Sequence, residues 1–356
     1  MMTHLWVRAE QRDNEQRVGL TPEGAAALIE RGLLVTVERS AVRAISIDGY
    51  AAAGCVIAPE NSWPDAPSDA IVFGLKELPE DETPLRHRHI MFGHAYKGQT
   101  AGRVLLDRFV AGGGTLYDLE YLVDDAGRRV AAFGYWAGFA GAAVGYHCWV
   151  AQQYGSLGAA VAPFADTDSL LRAMRDSWSG AKPRALIIGA LGRVGRGAAD
   201  FCEALGIQVT KWDIAETARG GPFPEVLDHD LFFNCILAGP GCPVFVPFST
   251  LNDKRSLRVI SDIACDPGSD FSPIKVYDEI TNWAAPARRV HDQPPLDVVA
   301  IDNLPSLLPV ESSEDYAAQL LPSLCQLQDL RSGVWRRAEL QFQRHIQRLH
   351  ETDRQQ

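Results

Sequence analysis

The sequence has no apolar run approaching the ~18 residues that a membrane-spanning helix needs, and its opening residues lack the basic-then-apolar order of a signal peptide. Those absences set the expectation of a cytoplasmic protein without a membrane partner. A basic surplus is missing too: 34 Lys plus Arg stand against 45 Asp plus Glu, a formal charge of −11. Coating a phosphate backbone requires a cationic excess, so no nucleic-acid partner is expected, although the balance leaves room for a small basic pocket. Cysteine is sparse and unpatterned. Cys55, Cys148, Cys202, Cys235, Cys242, Cys265 and Cys325 are odd in number and contain no C-x-x-C pair, which excludes a zinc site and a secreted disulfide framework. No metal is expected, and the thiols read as reduced and mostly buried.

What is present is ordinary globular composition, 46% hydrophobic and 22% charged over 356 residues, long enough for two domains of about 150 residues or more. Short β-like runs alternate with helical stretches, as in a parallel α/β sheet. Strands are predicted at His4 to Ala9, Leu33 to Glu38, Ala70 to Leu75, Ile90 to His94 and Thr115 to Asp118. Thr21-Pro22-Glu23 has the order of an N-cap, a first-turn proline and a dipole-complementing acid, so a helix should open there. A second alternation places strands at Arg184 to Ile188, Val209 to Asp213, Leu231 to Ile236, Val259 to Asp262 and Val298 to Ile301. Between the two lies Phe133 to Tyr154, rich in Gly and Ala, read as a closely packed helix joining the domains. Two final helices are predicted at Ser313 to Cys325 and Gly333 to His350. In the second, Trp335, Phe342, Ile346 and Leu349 form an apolar stripe suited to packing.

The strand Arg184 to Ile188 runs into Gly189-Ala190-Leu191-Gly192-Arg193-Val194-Gly195 and then into a helix. This is the order a dinucleotide pyrophosphate requires, because glycines let the backbone approach the phosphates and helix-start amides meet their charge. Asp213 ends the next strand 18 positions after Gly195, where a carboxylate binds the adenosine ribose and repels a 2′-phosphate. NAD is therefore expected rather than NADP.

In the first half, titratable residues collect at predicted strand ends, where open α/β sheets place their sites. Lys76 and Glu77 follow one strand, and His94 and Lys97 follow another. Arg17 precedes the first helix, Glu120 follows Asp118, and Arg128 and Arg129 sit in Gly127 to Gly134. Several basic groups in an acidic chain suit a multiply negative small molecule. Taken alone, His94 reads equally as a hydrogen-bonded core histidine.

Longer stretches are more specific: Gly74 to Pro79, Gly114 to Glu120, Ala137 to Ala143, Thr217 to Phe223 and Asp302-Asn303-Leu304-Pro305-Ser306-Leu307-Leu308-Pro309. Together these resemble the NAD-dependent, L-lysine-forming saccharopine dehydrogenase family, within the wider alanine dehydrogenase and transhydrogenase superfamily. The resemblance implies an α/β fold of two Rossmann-like domains with parallel sheets and an interdomain active-site cleft. A discontinuous substrate domain would span 1–132 plus 311–356, and an NAD-binding domain 133–310. It implies reversible oxidative cleavage of saccharopine to L-lysine and 2-oxoglutarate through an imine, with Lys76 and His94 as proton carriers.

By the same resemblance Arg17, Glu77, Lys97, Glu120, Arg128, Arg129, Phe133 and Asp302 would face substrate. Gly189, Gly192, Arg193, Val194, Gly195, Asp213, Thr217 and Asp302 to Pro305 would face NAD, with Asp213 and Thr217 at its adenosine end. The chain departs from the family at Val194, where some fungal relatives have cysteine, and at Gly98, Gly102, Tyr135-Trp136 and Tyr146-His147-Cys148. Such departures leave two alternatives: an opine-type dehydrogenase joining 2-oxoglutarate to a different amine, or a silent NAD-binding protein.

Overall fold

A computed structural model describes residues 2–12, 15–97 and 100–353, and Gly98 lies outside those described residues. The chain divides into two compact units, Met1–Ala132 with Ser312–Gln356, and Phe133–Glu311.

The first unit holds six parallel strands: β1 (His4–Val7), β2 (Leu34–Glu38), β3 (Val56–Ala58), β4 (Ile71–Phe73), β5 (Arg88–Met91) and β6 (Thr115–Asp118). Their order is β3-β2-β1-β4-β5-β6, so the direction of winding reverses between β1 and β4. Crevices at such reversals, beyond the carboxyl ends of the strands, are where doubly wound sheets bind ligands. The helix Pro22–Glu30 opens as predicted, with the Thr21 hydroxyl accepting from the Gly24 amide at 3.2 Å. The final helix, Gly333–Asp353, buries Trp335 against Tyr117 and packs Phe342 on Phe109, with Ile346 and Leu349 on the same cluster. The apolar stripe is thus core.

The second unit adds β7 (Arg184–Ile188), β8 (Gln208–Trp212), β9 (Leu231–Asn234), β10 (Val259–Asp262), β11 (Arg288–Asp292) and β12 (Pro295–Val299), ordered β11-β12-β10-β9-β7-β8. Ala185 and Ile187 of β7 join one buried cluster, while Leu186 and Ile188 join another. Burial on both faces explains why that strand reads as a continuous apolar run.

Three expectations need correction. Strands β3 and β11 went unpredicted, the first because three residues carry no period and the second because Arg288-Arg289-Val290-His291-Asp292 is polar. β11 pairs antiparallel with β12, so the second sheet is mostly rather than wholly parallel. The small-residue helix, Gly134–Gln153, lies inside the second unit. It packs backbone to backbone on the helix Arg193–Ala204: a Cβ on Gly138 would stand 1.8 Å from the Val194 carbonyl oxygen, and one on Gly197 would stand 1.9 Å from that of Tyr135. Side chains on either face would force the pair apart.

Cys55, Cys148, Cys202 and Cys235 are buried, and none of the seven cysteines is disulfide-bonded. Among the described residues, no helix is long and apolar enough to cross a membrane, and no cluster of three His, Cys, Asp or Glu is arranged to hold a metal.

Candidate active site and dinucleotide loop

In the second unit the three loop glycines do three different things. Gly189 turns the chain with φ +87°, and a side chain there would strike Ile236 at 2.4 Å. Gly195 lies so near the Gly189 carbonyl that a Cβ would meet it at 2.2 Å, which seats the helix on β7. Gly192 faces open space apart from that same oxygen, which a Cβ at this position would meet at 3.4 Å, and no side chain caps the helix it begins. A tight turn, an open approach and a close helix contact are the three requirements of a pyrophosphate loop. Arg193 starts that helix exposed, whereas Val194 packs partly into the core.

Asp213 follows β8 and ties the loop to it, one oxygen accepting from the Leu191 amide at 3.0 Å and the other from Ile214 at 2.9 Å. A carboxylate offers about four acceptor sites, so Asp213 keeps acceptors beyond those two amides. Thr217 donates to the Asp213 carbonyl at 3.0 Å. Leu191, Ile214 and Leu237 are exposed apolar side chains following β7, β8 and β9. A flat apolar base could rest on them, and the glycine pattern alone did not single them out. The loop therefore fits a dinucleotide. Asp302 is exposed, and Asn303 adopts φ +71° with its amide on the Ser306 hydroxyl at 2.8 Å. Leu304 and Pro305 are buried, Leu304 within the core, so a ligand would meet their backbone rather than their side chains. Phe133 lies just before the helix Gly134–Gln153, its carbonyl accepting from Ala137 at 2.9 Å.

In the first unit, Lys76 lies three residues after β4 and is buried, at the winding reversal. Buried Glu15 lies within reach of its charge and receives Arg17 through three bonds: the backbone amide at 3.0 Å, Nε at 2.8 Å and Nη2 at 2.7 Å. Burial alone would raise the Glu15 carboxyl, but Arg17 and the Lys76 charge hold it below the usual carboxylate range.

His94 follows β5 with φ +47° and is 49% exposed. That exposure removes the reading of His94 as a core histidine. Its ring stacks on Phe92 at 6.2 Å, and Nε2 lies 4.0 Å from Glu77, whose other oxygen meets Arg12 at 3.4 Å. Glu120 accepts from Lys97 at 2.9 Å and Arg129 at 3.0 Å. Burial would raise this carboxyl, yet the Lys97 bond and the charges of Lys97, Arg129 and His94 keep it low. Thus Glu77, His94, Lys97, Glu120 and Arg129 come together. Arg128 does not, being turned onto Asp124 at 3.0 Å in an exposed turn.

Sequence reasoning missed Asp118 and Tyr316. Asp118 accepts from the Gly93 amide at 3.3 Å and the Glu120 amide at 2.8 Å, joining the loops that carry His94 and Glu120. Tyr316, from the helix Pro309–Leu324, is fully buried 6.1 Å from Phe92 and within the fields of Arg129, Arg17 and Asp118.

Burial pushes the Asp118 carboxyl up to about 7. Its folded value exceeds the unfolded ~3.9, so the folded chain holds a proton that the unfolded chain releases. The associated stability is complete below about pH 4 and is lost as pH climbs through 7, a loss on the order of 4 kcal/mol. Asp118→Asn should lack this dependence. Urea midpoints at pH 4.5, 6 and 7.5 should show the variant gaining on the parent as pH rises; parallel curves would contradict the assignment.

Residues 6–140 match the family described as alanine dehydrogenase/PNT, N-terminal domain. A solved L-alanine dehydrogenase superposes with a TM-score of 0.66 at 20% identity, covering 92% of this chain and 91% of that one. This likeness supports the two-domain, mostly parallel Rossmann-like fold. The saccharopine dehydrogenase [NAD(+), L-lysine-forming] of Schizosaccharomyces pombe is 44% identical over 97% of this chain and 99% of its own length. That of Candida glabrata is 44% identical over 98% of each. At that identity over nearly the full length, the chain belongs to the family of NAD(+)-dependent, L-lysine-forming saccharopine dehydrogenases.

Proposed function

We propose that the protein catalyses the NAD-dependent, reversible oxidative cleavage of saccharopine to L-lysine and 2-oxoglutarate. The observation that carries this reading is the 44% identity over nearly the full length of relatives that bear that activity in their names. The substrate site is assigned to the first unit and the NAD site to the second.

When bound, NAD accepts a hydride from the substrate carbon. Lys76 takes the proton of the secondary amine as the imine forms. His94 then deprotonates the water that attacks the imine and returns a proton as the carbinolamine collapses to amine and ketone. Lys76 is buried at the winding reversal beside Glu15, and an exposed imidazole suits exchange with water. Glu77 sits beside His94, 4.0 Å from Nε2. Arg129 and Lys97, already paired with Glu120, receive substrate carboxylates, Arg129 through a forked contact. Asp302 and the Asn303 to Pro305 backbone border the reacting end of NAD. Gly189, Gly192, Arg193, Val194 and Gly195 hold its pyrophosphate, and Asp213 and Thr217 hold its adenosine end.

A panel of amines supplied with NADH and 2-oxoglutarate, with each product identified by mass, tests the reading. Lysine should be the preferred amine and saccharopine its product; preference for another amine would make the protein a different opine-type dehydrogenase. NAD should be favoured over NADP by more than tenfold, or about 1.4 kcal/mol, and Asp213→Ala should narrow that gap. Equal use of both cofactors by the parent would remove Asp213 from the ribose site. We also assign the protein to the cytoplasm, a reducing compartment in keeping with seven cysteines of which none is disulfide-bonded.

A further inference from the structure

β1 and β4 are neighbours in register, Val7 opposite Phe73, at the point where the first sheet reverses its winding. The residues just beyond those strand ends are therefore forced together. Arg8 follows β1 and is fully buried, an unusual setting for a guanidinium. It reaches its place only because position 74 is glycine: a Cβ there would stand 2.4 Å from the Arg8 Cζ. From there Nη2 donates to the Lys76 carbonyl oxygen, while Nη1 lies 3.4 Å from Glu10. Glu10 in turn accepts from the Leu75 amide at 2.6 Å and the Lys76 amide at 3.0 Å. Both faces of the Lys76 backbone are held by one ion pair from another strand.

We propose that Arg8 and Glu10 are positioning residues, a clamp that fixes the backbone from which the Lys76 side chain is presented. The functional part of this inference rests on the role given to Lys76 above. Lys76 follows a strand of only three residues and lies in a loop with no regular ladder of its own. Without the clamp its peptide would be free to shift, and a displacement of about 1 Å at a reacting group is enough to lower a rate ~100-fold. Glu10 is suited to this because two carboxylate oxygens accept from two successive amides. An amide side chain offers one acceptor and sets a donor against the second N–H.

The test uses the full chain with Glu10→Gln, and with Arg8→Lys as a second variant that keeps the buried charge but cannot make the forked contact. Two readouts are needed. Saccharopine oxidation should lose 10- to 100-fold in kcat, with KM within about threefold and the NADH dissociation constant unchanged. Independently of any substrate, reductive methylation should label Lys76 at least fivefold faster than in the parent, with exposed Lys254 as the internal reference, because a released loop opens a buried amine. Unchanged Lys76 labelling in both variants overturns the clamp, as does a kcat within twofold of the parent. If the parent turns over no saccharopine, the proposed function fails and the labelling rate alone decides the clamp. If Glu10→Gln does not fold, Arg8→Lys carries both measurements.

Discussion

His94→Asn should cut turnover by about 10² to 10⁴ while melting temperature and NADH affinity stay those of the parent. Asparagine is the right replacement because His94 sits at φ +47°, a region that Asn enters more readily than other non-glycine residues. The variant therefore removes the proton carrier without straining the backbone. With half of the ring exposed, little packing is lost. NADH affinity should survive because the glycine loop belongs to the second unit. Lys76→Met should produce a loss of similar size. The double variant should lose less than the sum of the two, since groups sharing a relay are not additive. Normal turnover in His94→Asn would eliminate its catalytic role.

Arg17→Ala and Arg129→Ala should fail in opposite ways. Arg17 is 3% exposed and closed onto the buried Glu15 carboxylate. Its removal takes two of the three bonds from that carboxylate and leaves it the residue-17 backbone amide and the Lys76 charge. Breaking one side of such a pair costs about 3–5 kcal/mol, equivalent to a melting temperature lower by roughly 10 °C for a unit of this size. Arg129 is 42% exposed on the Glu120 edge, where an ion pair contributes about 1 kcal/mol or less. Its alanine variant should melt normally yet bind 2-oxoglutarate at least tenfold more weakly. Calorimetry and a 2-oxoglutarate titration on both proteins separate the two roles. A stable Arg17→Ala that binds poorly would return Arg17 to the substrate.

What could be read beforehand was whatever physics writes locally. The Gly189 to Gly195 loop, Asp213 and the Thr21 cap each depend on neighbours a few residues away or on one fixed crossover, and so does the apolar stripe of the last helix. Arg8 and Glu10 carry no local signal, because their partners at 74 to 76 come from a different strand. Tyr316 is hidden for the same reason, reaching Phe92 across more than two hundred residues. Arg17 and Arg128 looked alike as cations near a candidate pocket, but Glu15 encloses one and Asp124 holds the other at the surface. Side-chain pairing, unlike loop geometry, is decided by folding.

The division of the first unit into two stretches of chain also bears on the order in which the protein assembles during synthesis. Residues 1–132 are made before the second unit, yet the helix that covers Tyr117 and Phe109 is made after it. The continuous second unit, 133–311, has its full complement of chain while the first still waits. The expected order of completion therefore reverses the usual one, in which the domain made earlier folds first. Until Trp335 and Phe342 arrive, Tyr117 and Phe109 lack the aromatic partners that the last helix brings, and a nascent chain stalled before it would be a natural client for chaperones.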